Sequence, residues 1–163
     1  MSLKIIPFEP RYASDFQNLN LAWIERYFVV EPEDIRLLEN CDQSIIEAGG
    51  HIYFAEYENC IVGCFAFIRI TDKTFELGKM AVAPEYHGLK IGQKLLSFAL
   101  DFAKTNQWDA IVLYSSTKLD AALHIYRKYG FEEVPLEEKL TYLRSDIKME
   151  LQLKTEIATL KVT

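Results

Sequence analysis

The stretch Met80-Ala-Val-Ala-Pro-Glu-Tyr-His-Gly-Leu-Lys-Ile-Gly-Gln-Lys-Leu-Leu96 decides the fold. It has the pattern of an apolar strand that stops at Pro84, a turn that carries Gly88 and Gly92, and an amphipathic helix that continues to about Lys104. The first N–H groups of a helix have no intrahelical partners, and the helix dipole favours negative charge at that end. The stretch therefore predicts a turn that binds phosphate.

Two lysines support this interpretation. Lys90 and Lys94 occupy the first turns of the helix, where the dipole disfavours cations, and their i, i+4 spacing places them on one face. A bound polyphosphate would reverse that penalty. The alternative is that both lysines are solvated surface residues. With Lys79 and His87 they form a local basic patch in an acidic chain.

Length and composition predict one globular domain over residues 1–153, followed by a tail over residues 154–163. The 18 basic and 24 acidic residues give a net charge of −6, which argues against a nucleic-acid or anionic-membrane partner. The three cysteines include no C-x-x-C pair and no histidine at ligand spacing, so we expect reduced thiols and no metal site. Since the first residues contain no signal-peptide core, we expect a cytoplasmic protein.

Apolar periodicity divides the chain into alternating strands and helices. Strands are predicted over 3–7, 52–57, 61–70, 75–83, 110–114, 131–134 and 142–153, and the three from 52 to 83 suit an antiparallel meander. The first helix is predicted over 13–28, with Ser14 as a candidate cap, and the second begins at the Glu31–Asp34 turn. The third runs from the phosphate turn to about 104, and the fourth spans 118–129 and is ended by Gly130. The tail is weakly strand-like and could pair across a homodimer.

This order of elements resembles the GNAT superfamily of acetyl-CoA-dependent N-acetyltransferases. Two segments carry the resemblance most strongly: Met80–Gly92, which is similar to the family's phosphate-turn signature, and Ala122-Leu-His-Ile-Tyr-Arg-Lys-Tyr-Gly-Phe131. The resemblance implies an α/β (α+β) domain with a mixed, mostly antiparallel sheet of about seven strands and about four flanking helices. The implied order is β-α-α-β-β-β-α-β-α-β-β, and the implied cofactor is acetyl-CoA.

The chain departs from the family pattern at three positions. His87 stands where the family has Arg or Gln, and Lys90 stands where it has its first motif glycine. We expect Lys90 to have φ < 0, which would loosen the turn, and to add a side-chain contact to phosphate. Leu119 stands where many members have Asn, and Ser116 is the nearest polar substitute.

The resemblance implies that backbone groups hold most of the coenzyme. The strand before the turn would pair with the pantetheine amides and offer an N–H to the thioester oxygen, and the turn would hold the pyrophosphate. The residues implied at the coenzyme are Met80, Ala81, Val82, His87, Gly88, Leu89, Lys90, Ile91, Gly92, Gln93 and Ser116.

Two residues are candidates for the chemistry. By strand alternation Glu76 shares a face with Gly78, Met80 and Val82, so it places a carboxylate in an otherwise apolar row. The resemblance implies that Glu76 is the base, acting directly or through water, and that Tyr126 is the general acid beside the coenzyme sulfur. The alternatives are a solvated or lysine-paired glutamate and a core tyrosine. Gly78 also predicts a bulge or a close backbone approach.

The acceptor side is predicted from the helical hairpin. Trp23, Tyr27, Phe28 and Glu31 offer aromatic rings and a carboxylate suited to a cationic amine, although core packing with solvated acids is the alternative. The function these features predict is transfer of an acetyl group from acetyl-CoA to a primary amine of a small molecule, an amino-acid-like compound or a peptide. The alternative is a non-catalytic acyl-CoA-binding or sensor domain, which the departures at His87 and Lys90 favour.

Overall fold

A computed structural model describes residues 2–154 of the chain. The strands are β1 (Leu3–Pro7), β2 (His51–Tyr57), β3 (Cys60–Arg69), β4 (Thr74–Val82), β5 (Ala110–Ser115), β6 (Glu132–Val134) and β7 (Ile147–Gln152). The helices are α1 (Ala13–Tyr27), α2 (Pro32–Glu39), α3 (Ile91–Thr105) and α4 (Asp120–Lys128), with short helical turns at Pro10–Tyr12, Asp42–Ile46 and Pro84–Tyr86.

The strands form one sheet in the order β1-β2-β3-β4-β5-β7-β6, in which β4 and β5 are parallel and the other neighbours are antiparallel. The predicted mixed sheet and order of elements are thus confirmed. The prediction of an extra strand in the tail falls on residues that, beyond Lys154, lie outside the described part of the chain.

Helices cover both faces of the sheet. On one face, α1 and α2 bury Phe16, Ile24 and Leu38 against β2 and β3, and on the other face α3 and α4 bury residues such as Leu95 and Leu123. Each buried set follows the 3.6-residue period of an amphipathic helix. The predicted cap of α1 is wrong: the helix begins at Ala13, and no side chain caps its first turn. In the described residues, no helix is long and apolar enough to cross a bilayer.

The two parallel strands separate partway along their length. β4 and β5 are paired only from Thr74↔Ala110 to Glu76↔Val112, although β4 continues to Val82 and β5 to Ser115. Beyond these pairs, the facing strand edges are not paired with each other. This separation opens a cleft in the middle of the sheet.

A β-bulge lies in β4 next to the cleft. Cys64 pairs with Ala81 and Ala66 pairs with Gly78, so β4 has one more residue than β3 between these pairs. The extra residue is accommodated at Lys79, which has φ +51°. The bulge that Gly78 predicted is therefore present one residue later.

The bulge changes which side chains share a face. Glu76 and Gly78 face the α1–α2 side, since a Cβ built on Gly78 would lie 3.5 Å from a Glu76 carboxylate oxygen. Met80 and Val82 instead pack against the core beneath α3. The prediction that Glu76 lies in one row with Met80 and Val82 is wrong, because an extra residue in a strand inverts the alternation after it.

Candidate active site

The cleft between β4 and β5 contains about 880 Å³ of empty space, part of it open to solvent. It brings together six of the residues that the sequence predicted, namely Trp23, Phe28, Glu76, Met80, Ser116 and Tyr126. These residues come from α1, the segment after it, β4, the end of β5 and α4. One cleft therefore joins both candidate catalytic residues with two of the candidate acceptor residues.

Glu76 is the candidate base on the wall formed by β4. Burial raises the pKa of its carboxyl group from the ordinary 4.5 to about 7, although the positive charge of Lys79 opposes the rise. Burial and the charges of neighbouring groups, rather than a hydrogen bond, set this pKa, and the ion pairs of the described residues include none at Glu76. A carboxylate that is half deprotonated near neutral pH and forms no ion pair is well suited to accept a proton.

Tyr126 is the candidate acid, on the second turn of α4. Its ring packs edge-on against Phe131 at a centroid distance of 5.8 Å, and the residue also lines the cleft. Burial raises the pKa of the phenol above its ordinary 10, so the hydroxyl keeps its proton at neutral pH. Tyr126 can therefore serve as a proton donor in the cleft.

Ser116 is buried at the start of the turn that leads into α4. Its hydroxyl oxygen accepts a hydrogen bond from the Lys118 N–H at 3.2 Å, and its carbonyl accepts one from the Leu119 N–H at 2.9 Å. The residue lines the cleft together with Tyr126.

The turn before α3 has the backbone of a glycine turn in spite of Lys90. Lys90 has φ +58° and ψ +29°, in the left-handed region, so the prediction of a negative φ is wrong. A residue with a side chain pays roughly 1–2 kcal/mol for this conformation. Gly88, with φ +94°, is the other left-handed residue, and a Cβ built there would meet nothing within 4 Å. The turn keeps its tight form at the cost of local strain.

The side chains around this turn differ from the predicted basic patch. Lys90 and Lys94 are exposed, as a phosphate contact requires. His87 donates a hydrogen bond from Nε2 to the Val82 carbonyl oxygen at 3.2 Å. Lys79 is directed away, to a buried carboxylate on α2, so the prediction that it belongs to the patch is wrong.

The backbone around the turn fits a long ligand that carries phosphate and amide groups. No side chain caps the N-terminus of α3, and the first hydrogen bond of the helix is donated by Lys94 to the Lys90 carbonyl oxygen. The edge of β4 that faces the cleft offers amide groups along the path from this turn to Glu76. The side chain of Ala81 is buried in the core, so only its backbone can contact such a ligand.

A buried ion cluster beside Glu76 was not predicted from the sequence. Lys79 Nζ lies 2.6 Å from Asp34 Oδ1 and donates to the Tyr142 hydroxyl at 3.0 Å. Both outer nitrogens of Arg144 donate to the Asp34 carboxylate, at 2.8 and 2.7 Å, and one of them lies 3.3 Å from Glu31. This charge cluster connects α2, the bulge in β4 and the loop before β7.

Asp34 lies at the centre of the charge cluster and is fully buried. Burial raises the pKa of its carboxyl group, but hydrogen bonds from Arg144 and Lys79 outweigh that effect and lower the pKa to about 2. Asp34 is therefore ionised at neutral pH, and its charge is already compensated.

The other predicted acceptor residues do not line the cleft. Tyr27 is 45% exposed and contributes to a neighbouring cavity of about 750 Å³, whose wall also includes Trp23. Glu31 accepts hydrogen bonds from the Leu143 N–H at 2.7 Å and from Arg144. Trp23 lies between the two cavities and contacts Tyr27 and Phe28 at centroid distances of 5.4 and 5.9 Å.

Comparison with protein families matches residues 48–133 to the GNAT acetyltransferase domain. The chain is 38% identical over 65 residues to N-alpha-acetyltransferase RimI of Mycobacterium tuberculosis. The aligned segment covers 40% of this chain and 39% of that protein. It is 28% identical over 96 residues to N-acetyltransferase 8F1 of Rattus norvegicus, and this alignment covers 56% of this chain and 43% of that protein. The matches therefore span about 40% of the length of these curated relatives.

Solved structures extend the similarity to nearly the whole chain. A GNAT-family acetyltransferase from Staphylococcus aureus Mu50 superposes with a TM-score of 0.82 at 26% identity, over 94% of this chain and 100% of that one. The PaiA N-acetyltransferase of Thermoplasma acidophilum, solved in complex with coenzyme A, has a TM-score of 0.73 at 18% identity over 93% of this chain and 99% of that one. At the latter identity the match concerns the fold alone.

Proposed function

Because this chain belongs to the GNAT acetyltransferase family, whose members use acetyl-CoA, we propose that it transfers an acetyl group from acetyl-CoA to a primary amine. In this proposal Glu76 is the base and Tyr126 is the general acid. The observation that carries the proposal is that both groups line the same cleft, where β4 and β5 separate.

The backbone of the chain would hold most of the coenzyme. The N–H groups from Gly88 to Gln93 would bind the pyrophosphate, with Lys90 adding a side-chain contact. The free edge of β4 from Met80 to Val82 would pair with the amide groups of the pantetheine arm. Bound in this way, acetyl-CoA supplies a thioester carbonyl to the cleft.

The two candidate catalytic residues would move the protons of the reaction. Glu76 accepts a proton from the amine as the new nitrogen–carbon bond forms, and Tyr126 gives its proton to the thiolate sulfur as the carbon–sulfur bond breaks. An N–H on the unpaired edge of β4 would stabilise the negative charge on the carbonyl oxygen. The transfer yields an N-acetyl amine and free coenzyme A.

The alternative of a non-catalytic sensor domain rested on the departures at His87 and Lys90. Lys90 adopts the left-handed backbone that a glycine would adopt there, so this departure does not remove the phosphate turn. The sensor alternative therefore has less support than catalysis does.

The test is release of coenzyme A in the presence of acetyl-CoA and a panel of primary amines. Glu76→Gln and Tyr126→Phe are each expected to lower kcat by about 100-fold or more, because general acids and bases contribute about that much. Tyr129→Phe is the matched control, since it removes a hydroxyl from the same stretch of chain without touching the cleft lining. Acetyl-CoA should also raise the Tm, because a ligand at 100 times its Kd adds about 2.7 kcal/mol.

A rise in Tm without turnover of any amine would favour the sensor alternative. Equal rates for Tyr126→Phe, Glu76→Gln and the unchanged protein would contradict the assigned roles while leaving the transfer itself in place.

A further inference from the structure

We propose that the acceptor is a primary amine with one positive charge on an uncharged apolar or aromatic body, rather than a polyamine or a free amino acid. This inference rests on the proposed function and specifies its substrate class. The observations behind this inference are the pairing of the charges around Glu76 and the aromatic rings that line the cleft beside Glu76.

The carboxylates around Glu76 are each paired with a cation. Asp34 and Glu31 are held by Lys79 and Arg144 in the charge cluster. Two further carboxylates whose charge acts on Glu76 are also paired with cations. Glu33 pairs with Arg36, and one of their two contacts is 2.8 Å long. Glu137 pairs with Lys148 and also accepts a hydrogen bond from the Tyr114 hydroxyl at 2.9 Å.

Among these carboxylates, Glu76 is consequently the one that has no cation partner in the described residues. A single ammonium group entering the cleft can be compensated by Glu76. A second or third ammonium group held inside this cleft would find no other carboxylate among the lining residues, and an unpaired buried charge is costly. This argues against polyamines.

The cations of the site are likewise occupied. The guanidinium of Arg144 is shared between two carboxylates, and Lys79 is held by Asp34 and by the Tyr142 hydroxyl. A carboxylate on the acceptor would have to compete with Asp34 for these donors while lying close to Glu76. This argues against free amino acids, whose carboxylate is only two bonds from the amine nitrogen.

The remaining wall of the cleft is suited to an apolar body. Trp23 and Phe28 line it with their rings 5.9 Å apart, next to Ile24 and Ile68. Trp23 also borders the neighbouring cavity. Aromatic contacts contribute to binding beyond the area that they bury.

The experiment compares three acceptors under the same conditions: phenethylamine, L-phenylalanine and spermidine. The first two differ by one carboxylate, and the third replaces the aromatic body by further amines. We expect kcat/KM for phenethylamine to exceed both others by at least tenfold. Equal or faster turnover of spermidine or phenylalanine would overturn this inference and leave the proposed function standing. If no primary amine is acetylated, the proposed function fails and this inference fails with it.

A second measurement tests the charge argument itself. Arg36→Ala leaves Glu33 unpaired near Glu76 without changing a residue of the cleft wall, and it should raise the ratio of spermidine to phenethylamine turnover severalfold. Arg69→Ala is the matched control, because it breaks an exposed i, i+3 pair with Asp72, whose charge is not among the main influences on the pKa of Glu76. An unchanged ratio for Arg36→Ala, or an equal rise for Arg69→Ala, would contradict the inference.

Discussion

Replacing Glu76 by glutamine is expected to raise the free energy of unfolding at neutral and alkaline pH. The pKa of this carboxyl group is about 7 in the folded protein and 4.5 as its ordinary value, because burial disfavours the charged form. Between these values the folded state holds a proton that the unfolded state has lost, so stability falls as pH rises. At about 1.4 kcal/mol per pKa unit, the loss amounts to about 3 kcal/mol above pH 7.

Glutamine cannot ionise and avoids this loss. The stability difference between Glu76→Gln and the unchanged protein should grow from pH 4.5 to pH 7 and then level off at about 3 kcal/mol in favour of the variant. Urea unfolding at a series of pH values measures it. Glu133→Gln, at an exposed position, controls for the loss of one negative charge. A difference that does not change with pH would refute the conclusion that Glu76 is a destabilising, desolvated carboxylate.

Two further substitutions test the turn and the charge cluster. Lys90→Gly should leave thermal stability unchanged or raise it by up to about 1 kcal/mol, because glycine takes φ +58° without strain. It should also weaken coenzyme binding and flatten its salt dependence in calorimetric titrations; unchanged values would make Lys90 a plain surface residue. Lys79→Met should destabilise the fold by about 2–4 kcal/mol in denaturant titrations. It should also move the acid limb of kcat/KM to higher pH, since the charge of Lys79 lowers the pKa of Glu76; an unmoved limb would contradict that coupling.

The order of the elements and most of their bounds could be predicted from the sequence because local signals determine them. The last strand is an exception, since it was predicted over 142–153 and is observed only from Ile147. The predicted helix from the phosphate turn to about Lys104 is observed as Ile91–Thr105. The predicted stop at Gly130 is observed with φ +100°. Periodicity of apolar residues and the placement of glycine and proline are properties of short segments, so one chain suffices to recognise them.

The site was predicted less completely because its geometry depends on tertiary contacts. One added residue at Lys79 moved Met80 and Val82 to the opposite face from Glu76, and no local pattern marks which residue of a strand is extra. The left-handed backbone of Lys90 is imposed by the turn rather than by the residue type. The pairing of Asp34 with Arg144 joins positions 110 residues apart, which spacing along the chain cannot indicate.

The charge cluster and the raised pKa of Glu76 have a common electrostatic explanation. Buried ion pairs contribute little net stability, since the cost of removing charges from water offsets their attraction. The pairing also matters for Glu76. If Asp34 and Glu31 were unpaired, two more negative charges near the cleft would raise the pKa of Glu76 further, and the base would be protonated at neutral pH. If Lys79 and Arg144 were unpaired, they would lower that pKa and weaken the base. A cluster of two carboxylates and two cations balances most of this charge, so desolvation is the largest influence on the pKa of Glu76, and the charge of Lys79 only partly opposes it.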